Sequence, residues 1–332
     1  MTMRFGVVGC GGAGADFADA VVDLPGGRIE AMYDPDPARL RAYSARVAGR
    51  PATSVAEVVE DPLVEAVYIA TPHHELAPVA VSALEAGKHV LVEKPAALST
   101  AELEALDAAA RRAGRTVGVM YVLRHDPAVL AARNLVADGA LGEVRQARIQ
   151  TVIDKPDDYW VAWRADRATA GGGVLLMNSA HQLDMVRFIT GLEYASVVAE
   201  VSPSEGVEHW AGAVYRMTGG AIVTLTASAR SSGARLQERV ELEGENGRLE
   251  LGGARDFVDV HLRSPHAALP AGKWTRLEVG RRSLYRAAVA DFVEAVPRDR
   301  SPAASTAEAR AALAAVTGAY AAAENGVRIA LA

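Results

Sequence analysis

The sequence predicts a two-domain α/β protein, in which a doubly wound parallel sheet precedes a domain with a large, open and mostly antiparallel sheet. Three observations lead to this fold class. The first third alternates short apolar strands with amphipathic helices, a glycine-rich turn follows the first strand, and strand-like segments dominate after about residue 122. A chain of 332 residues exceeds what one hydrophobic core usually organises, so we place the domains at residues 1–122 and 123–332.

The predicted strands of the first domain are short apolar runs bounded by turn residues. They cover Arg4–Val8, Ile29–Tyr33, Val64–Ala70, Lys88–Val92 and Thr116–Tyr121. Helices are predicted over Pro78–Ala86 and Thr100–Ala113, and Ser99 is the capping residue of the second. This alternation is typical of a parallel sheet covered by helices.

The second domain begins with a predicted helix over Pro127–Asp138. Several of the strands that follow alternate apolar and polar residues, as in an antiparallel sheet with one covered face; they cover Gln146–Ile153, Ala195–Val201, Ala211–Met217, Ala221–Ser228, Leu236–Glu243 and Arg248–Leu251. Asn246-Gly247 predicts a type I′ hairpin turn, because both residue types accept positive φ angles. Alanine-rich helices over Ser283–Ala295 and Thr306–Glu324 close the chain.

A GxGxxG pattern directly after the first predicted strand indicates a dinucleotide-binding turn. The first glycine permits the tight turn, the second lets main chain approach a pyrophosphate, and the third lets the following helix pack closely on the strand. The unpaired N–H groups of that helix would face the phosphates. We therefore assign the whole turn to cofactor binding, namely Gly9, Cys10, Gly11, Gly12, Ala13 and Gly14.

Asp34 follows the last of these glycines by twenty positions and ends an apolar segment. A carboxylate at this place accepts hydrogen bonds from a ribose diol and repels a 2′-phosphate. No arginine follows in Asp34-Pro35-Asp36-Pro37, so we expect NAD in preference to NADP. The alternative is that Asp34 only caps the helix after Pro37.

Composition and charge exclude several classes of function. The net charge of −6 argues against a nucleic-acid or anionic-membrane partner. Cys10 is the single cysteine, so no internal disulfide and no cysteine-based metal site can form, and we assign no metal. No apolar run approaches the ~18 residues of a membrane span, and the first strand starts at once without a basic leader, so we expect a cytoplasmic protein.

Thr71, Pro72 and His73 follow a predicted parallel strand at its carboxyl end, where open α/β sheets bind ligands. Pro72 cannot donate to the sheet, so the strand must end there. We expect this turn to lie against the nicotinamide ring. The alternative is a loop in which His73 and His74 are simply exposed.

Glu93 and Lys94 follow the next buried strand of the predicted sheet, and we assign both to cofactor binding. The ammonium of Lys94 would donate a hydrogen bond to a substrate oxygen, stabilising negative charge as an alcohol becomes a carbonyl. The alternative is a surface ion pair before the turn at Pro95.

Three glycines, Gly171 to Gly173, precede an apolar segment that carries His181 and Asp184. The glycines predict a close main-chain approach at a helix N-terminus, and the two polar residues lie on neighbouring faces because they are three positions apart. An imidazole titrates near neutral pH and is suited to take a hydroxyl proton while hydride leaves the carbon. The alternative is a core histidine bonded to Asp184.

Taken in order, these motifs resemble the Gfo/Idh/MocA family, named for glucose-fructose oxidoreductase, inositol dehydrogenase and a rhizopine-catabolism protein. The resemblance covers nearly the whole chain. It rests on the GxGxxG turn, Thr71-Pro72, Ala86–Val90 running into Glu93-Lys94-Pro95, Arg124 with Pro127, and Gly171–Gly173 leading to His181 and Asp184.

The resemblance implies a Rossmann domain followed by an α/β domain whose open sheet packs face to face in an oligomer, so we expect a homodimer or homotetramer. It also implies that Lys94 is the catalytic lysine and His181 the acid/base histidine. The implied reaction is hydride transfer between NAD and the alcohol or ketone of a sugar, sugar derivative, polyol or cyclic diol.

Three positions depart from the family pattern. Met177 stands where enzymes resembling inositol dehydrogenase carry an aspartate four residues before the histidine, Leu76 replaces a histidine common after the Thr-Pro turn, and His125 stands where an aromatic often follows Arg124. The change at Met177 keeps two other functions open. One is an NAD-binding regulator without activity, and the other is a glycosidase that uses NAD with no net change.

Residues of the second domain are expected to choose the substrate. Aromatic rings stack on a sugar ring, while cations and amides bind hydroxyls or a carboxylate. The candidates are Arg124, Lys155, Tyr159, Trp160, Trp163, Arg164 and Asn178, together with His181. The alternative for the segment around Trp160 is a packed loop at a domain or subunit boundary, since aromatics and arginine are enriched at interfaces.

Overall fold

A computed structural model describes residues 2–203, 205–233, 237–252 and 256–331. In this structure the chain forms two compact units, one comprising Met1–Val122 and Ser283–Arg310, the other Leu123–Arg282 and Ala311–Ala332. No helix within these described ranges is both long and apolar enough to cross a membrane.

The first unit is built on a parallel sheet of six strands. They are β1 (Met3–Val8), β2 (Gly27–Tyr33), β3 (Arg50–Pro51), β4 (Ala66–Ile69), β5 (His89–Val92) and β6 (Val117–Val119). Their order is β3-β2-β1-β4-β5-β6, and every pair is parallel. This is the strand order of a Rossmann fold, which reverses between β1 and β4 and binds ligands at the carboxyl ends of the strands there. The predicted doubly wound sheet is confirmed.

Five helices accompany these strands: α1 (Gly12–Val22), α2 (Pro37–Ser44), α3 (Val55–Val59), α4 (His73–Glu85) and α5 (Thr100–Ala113). Ser99 caps α5, as predicted, because its hydroxyl accepts the N–H of Glu102. The predicted start of α4 at Pro78 is wrong, since the helix begins directly after Pro72. The buried side chains of α4 repeat at helical spacing from His73 onward, and Pro78 lies on the exposed face within the helix.

The second unit is built on a sheet of nine strands. They are β7 (Val144–Val152), β8 (Tyr194–Ser202), β9 (Trp210–Met217), β10 (Ile222–Ser228), β11 (Gln237–Gly244), β12 (Gly247–Leu251), β13 (Phe257–Leu262), β14 (Trp274–Glu278) and β15 (Ile329–Ala330). The order is β14-β13-β12-β11-β7-β10-β9-β8-β15, with β7 and β10 parallel and the other pairs antiparallel. The predicted mostly antiparallel sheet is confirmed, and β9 alternates exposed with buried residues. Strands β13 to β15 were not predicted, and Leu236 lies outside the described residues.

The hairpin between β11 and β12 is present, but its predicted type I′ turn is wrong. Neither Asn246 nor Gly247 has a positive φ. Asn246 instead uses its side chain, donating to the carbonyl of Ala140 at 2.9 Å and accepting the N–H of Ser264 at 2.9 Å. The Asn-Gly pair therefore serves hydrogen bonding and close strand packing at this hairpin.

Among the described residues between Leu123 and Arg282, the second unit contains α6 (Pro127–Ala137), α7 (Arg167–Ala170) and α8 (Ala180–Thr190). Helix α6 packs on α8, and α8 packs on β7. A wide π-helical turn over Leu175–Ser179 runs directly into α8. The ordinary helix predicted after the three glycines thus begins with an irregular turn, a feature often found at functional sites.

Helices α9 (Leu284–Ala295) and α10 (Thr306–Asn325) follow the large sheet. The structure assigns residues 283–310 to the first unit, whereas the sequence division places them in the second. The physical reason is burial: α9 packs on α1, and the fully buried ring of Phe292 lies 6.4 Å from that of Phe5. A chain that leaves a domain and returns to it leaves no signal in local composition.

Candidate functional site

The glycine turn between β1 and α1 leaves main chain open to a ligand. Among the described residues, a side chain at Gly11 or Gly12 would meet no atom within 4 Å, and no side chain caps the start of α1. Gly9 has φ +100°, and a Cβ there would overlap the carbonyl of Ala70, while a Cβ at Gly14 would overlap the carbonyl of Gly9. The turn therefore fits a pyrophosphate held by main-chain N–H groups at a helix N-terminus.

The carboxylate of Asp34 joins this turn to the end of β2. Its Oδ2 accepts the N–H of Cys10 at 2.8 Å, and its Oδ1 accepts the N–H of Asp36 at 2.9 Å. Helix α2 is capped by Asp36, which accepts the N–H of Ala38, so the alternative that Asp34 caps this helix is wrong. Each Asp34 oxygen keeps a further acceptor site for a ribose hydroxyl.

Cys10 contributes its main-chain N–H to the glycine turn, where it donates to Asp34. Burial, helped by the charge of Asp34, raises the pKa of the thiol to about 12. The thiol therefore stays protonated at neutral pH, and its Sγ donates weakly to the carbonyl of Tyr33 at 3.6 Å.

Thr71 and Pro72 follow the carboxyl end of β4, where Pro72 is the residue immediately before α4. The hydroxyl of Thr71 is shielded from solvent and has no hydrogen-bond partner among the described residues. A buried hydroxyl left unpaired costs free energy, so this one fits a polar group of a ligand. His73 is only 8% exposed, which contradicts the alternative that it is an exposed loop residue, whereas His74 is half-buried.

Glu93 and Lys94 follow the carboxyl end of β5, the strand next to β4. Glu93 is buried, and its Oε1 accepts the hydroxyls of Tyr68 and Tyr285 at 2.9 Å each. Burial raises the pKa of Glu93, although the charge of Lys94 opposes this. The alternative of a surface ion pair is wrong because Glu93 is buried. Tyr285 was missed because it lies in the first turn of α9, in a segment the sequence division assigns to the other domain.

The three glycines of the second unit are held by a buried carboxylate that sequence reasoning missed. The carboxylate of Glu208 accepts the N–H groups of Gly173 at 2.5 Å and Leu175 at 2.9 Å, and the hydroxyl of Tyr320 at 2.9 Å. A Cβ at Gly172 would overlap Tyr320, and one at Gly173 would overlap the main chain of Glu208. The predicted close main-chain approach at these glycines is present, and the groups that approach them are Glu208 and Tyr320 of the same chain.

Burial raises the pKa of Glu208, and the three hydrogen bonds to its carboxylate oppose that rise. A negative charge among the first N–H groups of a helical segment is favourable. Glu208 therefore fixes the start of the π-helical turn that leads to His181.

The π-helical turn and the start of α8 carry two residues predicted to meet the substrate, Asn178 and His181. His181 is half-buried in the first turn of α8, and Asn178 is half-buried with an Oδ1 that has no hydrogen-bond partner among the described residues. Met177 is buried, and its Sδ lies 3.8 Å from the hydroxyl of Tyr159. A thioether thus stands at the position where enzymes resembling inositol dehydrogenase carry an aspartate.

Arg124 is buried in an ion pair with Asp184 of α8. Its Nε and Nη2 lie 2.8 Å from Oδ2 and Oδ1 of the carboxylate, and the side chains are 6% and 1% exposed. The guanidinium also lies over the ring of Phe188, 4.7 Å from its centroid. This geometry positions α8, and direct contact of Arg124 with substrate stays a prediction.

Four of the predicted substrate residues form one cluster before α7. The Nζ of Lys155 lies 4.5 Å from the ring centroid of Tyr159, and the guanidinium of Arg164 lies 4.6 Å from that ring and 4.4 Å from that of Trp163. Burial lowers the pKa of Lys155, and Arg164 adds to the effect. The cluster therefore presents two cations and aromatic rings together.

Trp160 lies beside this cluster. It is buried, packs on His209 with ring centroids 4.5 Å apart, and has no hydrogen-bond partner for its Nε1 among the described residues. Its ring therefore contributes mainly to packing within the second unit.

The strand order and the open glycine turn of the first unit, followed by a unit with a large mixed sheet, define a two-domain dinucleotide-binding protein. Residues 3–121 match the oxidoreductase family with an NAD-binding Rossmann fold, and residues 129–250 match the GFO/IDH/MocA C-terminal domain. The chain belongs to the Gfo/Idh/MocA family of oxidoreductases, which confirms the resemblance found in the sequence. Its first unit contains the NAD-binding Rossmann domain of that family.

Two relatives illustrate the similarity in sequence. The 1,5-anhydro-D-fructose reductase of Ensifer adhaerens is 34% identical over 205 residues, which are 61% of this chain and 61% of that protein. The uncharacterized oxidoreductase ORF334 of Rhizobium meliloti is 31% identical over 247 residues, 73% of this chain and 72% of that protein. The chain thus spans about three fifths of the anhydrofructose reductase.

The fold is also that of a solved levoglucosan dehydrogenase in complex with NADH and levoglucosan. The two structures superpose with a TM-score of 0.91 and 22% identity, covering 100% of each chain.

Proposed function

We propose that this protein is an NAD-dependent oxidoreductase that transfers hydride between the nicotinamide and a secondary alcohol or ketone of a sugar, cyclic polyol or sugar derivative. The observation that carries this proposal is the carboxyl edge of the first sheet. Strands β1, β4 and β5 are neighbours there, so the glycine turn, Thr71-Pro72 and Lys94 follow adjacent strand ends. The names of the anhydrofructose reductase and the levoglucosan dehydrogenase support a sugar-type substrate.

The residues that would hold NAD are those of the glycine turn, Asp34, and the residues after β4 and β5. The bound nicotinamide supplies the hydride acceptor or donor. Replacing Asp34 by asparagine keeps an acceptor for the N–H of Cys10 and removes the negative charge that disfavours a 2′-phosphate. We expect Asp34→Asn to lower the preference for NADH over NADPH about tenfold, a change of about 1.4 kcal/mol in relative binding free energy. Fluorescence titration with both nucleotides measures it, and tighter NADPH binding by the unchanged protein would contradict the role of Asp34.

Lys94 and His181 have different roles at the reacting alcohol. Lys94 donates a hydrogen bond to the substrate oxygen, which stabilises negative charge on it. His181 takes the hydroxyl proton as the carbonyl forms, and it returns the proton in the reverse direction. Glu208, Tyr320 and the Arg124–Asp184 pair act as positioning residues, because they hold the segment that carries His181.

The cluster of Lys155, Tyr159, Trp163 and Arg164 favours a ring-shaped, oxygen-rich substrate. An aromatic face packs on a sugar ring, and the adjacent cations donate to hydroxyls or a carboxylate. Asn178 adds an amide on the π-helical turn.

The protein is further proposed to be cytoplasmic and to form a homodimer or homotetramer through the open face of the nine-stranded sheet. Trp210, Val214 and Ile222 support the assembly, because these large apolar side chains are 45%, 43% and 40% exposed on β9 and β10. Sedimentation analysis of Val214→Glu tests this, since a charge on that face should shift the protein toward monomer. An unchanged mass would locate the interface elsewhere.

The decisive experiment measures NADH formation across inositols, hexoses, anhydro sugars, glycosides and cyclic diols, with Lys94→Ala in parallel. We expect activity in one stereochemical series and a fall of about 10²-fold or more in kcat for the variant, with a far smaller loss of NADH affinity. Lys273→Ala is the matched control, because Lys273 is exposed beside β14 in the second unit.

The failing outcomes separate the alternatives. Equal losses of turnover and NADH affinity in Lys94→Ala would make Lys94 structural. Tight NADH binding without turnover of any compound would favour a regulator, and release of aglycone without NADH would favour a glycosidase.

A further inference from the structure

A second pocket lies in the first unit at the amino ends of β1, β4 and β5. Its volume is about 390 Å³, within the range of small-molecule sites. Met3 at the start of β1, Glu65 just before β4, and Lys88 and His89 at the start of β5 line it. The strands are parallel, so this pocket stands at the opposite edge of the sheet from the glycine turn and Lys94.

The pocket contains two cations, Lys88 and Arg115, for which the described residues provide no carboxylate within ion-pair distance, although the negative charge of Asp61 favours the charged form of Lys88. Nζ of Lys88 donates to the main-chain carbonyls of Asp61 and Val64 at 2.8 and 2.9 Å. The guanidinium of Arg115 uses only its Nε, which donates to the carbonyl of Gly87 at 2.6 Å. The terminal nitrogens of Arg115 thus remain available for a planar, bidentate acceptor.

The carboxylates beside these cations already have arginine partners. Glu65 accepts both the main-chain N–H and the guanidinium of Arg4, at 3.0 and 3.3 Å, and Asp61 pairs at 2.9 Å with Arg50, which it shares with Glu57. The local balance of charge is therefore positive in a chain whose net charge is −6. Burial lowers the pKa of Lys88, which a bound anion would counteract.

Most of the remaining lining of the pocket is apolar. Val293 in the last turn of α9, Val296 and Pro297 just after that helix, and Met3 and Val64 form this side, while Thr2 adds a polar residue. The apolar side suits a hydrocarbon body better than the hydroxyls of a sugar. A free phosphate would leave this apolar surface uncovered, whereas a carboxylate with an apolar body matches both sides.

We propose that this pocket binds a small organic carboxylate, with its carboxylate group on Arg115 and Lys88 and its apolar body against Val293, Val296 and Val64. The site is separate from the nucleotide and sugar sites and does not depend on the proposed reaction.

Titration of the NADH-saturated protein with butanoate, hexanoate and octanoate tests the proposal, because NADH blocks the other anion site. The readout is the NMR shift of valine methyl groups. We expect shifts at Val64, Val293 and Val296 but not at Val174 of the second unit. The Kd should fall about fourfold for each added CH₂ that is buried. Hexanol should bind at least about tenfold more weakly than hexanoate, since it lacks the charge-assisted hydrogen bonds.

Arg115→Gln should weaken hexanoate binding at least about tenfold, while the matched control Arg111→Gln, an exposed cation on α5, should leave it unchanged. Val296→Phe, which narrows the apolar side, should weaken octanoate more than butanoate. A thermal melt of each variant separates loss of the site from loss of the fold. Equal binding of hexanol and hexanoate, shifts confined to residues outside the pocket, or unchanged affinity in folded Arg115→Gln would each overturn the proposal.

Discussion

Removing one partner of the Arg124–Asp184 ion pair should destabilise the second unit by about 3–5 kcal/mol. Both side chains are at least nine-tenths buried, and two hydrogen bonds of 2.8 Å join them. Asp184→Leu would leave a buried guanidinium without this carboxylate, and Arg124→Met would leave the buried carboxylate without this guanidinium. In each case the desolvation cost of the remaining charge is no longer offset by its partner.

The double variant Arg124→Met with Asp184→Leu should recover most of this loss, because no buried charge of the pair remains. We expect a coupling energy of at least about 2 kcal/mol from the double-mutant cycle. Urea unfolding followed by circular dichroism and tryptophan fluorescence measures it. Arg145→Ala is the control in the same unit: its side chain is 51% exposed in its pair with Glu143, and its loss should cost less than about 1 kcal/mol.

Activity of the double variant distinguishes a positioning role from substrate contact. If Arg124 acts by holding α8, the stable double variant should keep a KM near that of the unchanged protein. If the free energy of unfolding of each single variant lies within about 1 kcal/mol of that of the unchanged protein, the energetic reasoning is refuted. A stable double variant with a KM raised more than about tenfold would show that Arg124 binds substrate directly.

Two further predictions concern buried groups at the two sites. Gly173→Ala should destabilise the protein by about 1–3 kcal/mol or more, because its Cβ would overlap the main chain of Glu208. Gly12→Ala is the control, since a Cβ there meets no atom of the described residues within 4 Å. Thermal melts compare the two variants, and equal melting temperatures would contradict the overlap at Gly173. Burial raises the pKa of Glu93 above its ordinary value of 4.5, so its contribution to stability is fully present below pH 4.5 and is lost as the pH rises through the raised value. As the pH rises from 4.5 through the raised pKa, the free energy of unfolding of the unchanged protein, measured in urea, should therefore fall relative to that of Glu93→Gln. A difference between the two proteins that stays constant with pH, or changes in the opposite direction, would contradict this.

Much of the fold and part of the site could be predicted from short stretches of sequence. The turn at Gly9 to Gly14, the cap at Ser99 and the alternation along β9 depend on residues a few positions apart, so local spacing contains the information. The same holds for the placement of Thr71 and Lys94 just after the carboxyl ends of β4 and β5. Local predictions failed where a residue type has more than one structural use. Pro78 is predicted as a helix start but lies inside α4, and Asn246 is predicted as a type I′ turn residue but forms side-chain hydrogen bonds at the hairpin.

Local sequence patterns predicted a parallel nucleotide-binding sheet, a second mostly antiparallel sheet and the motifs of an oxidoreductase family. The groups that hold those motifs in place are visible only in the folded structure. Glu208 meets Gly173 across 35 positions and Tyr320 across 112, and Tyr285 meets Glu93 across 192. Partners so far apart leave no periodic or turn signal, because their contact is created by burial of the whole unit and not by the conformation of neighbouring residues.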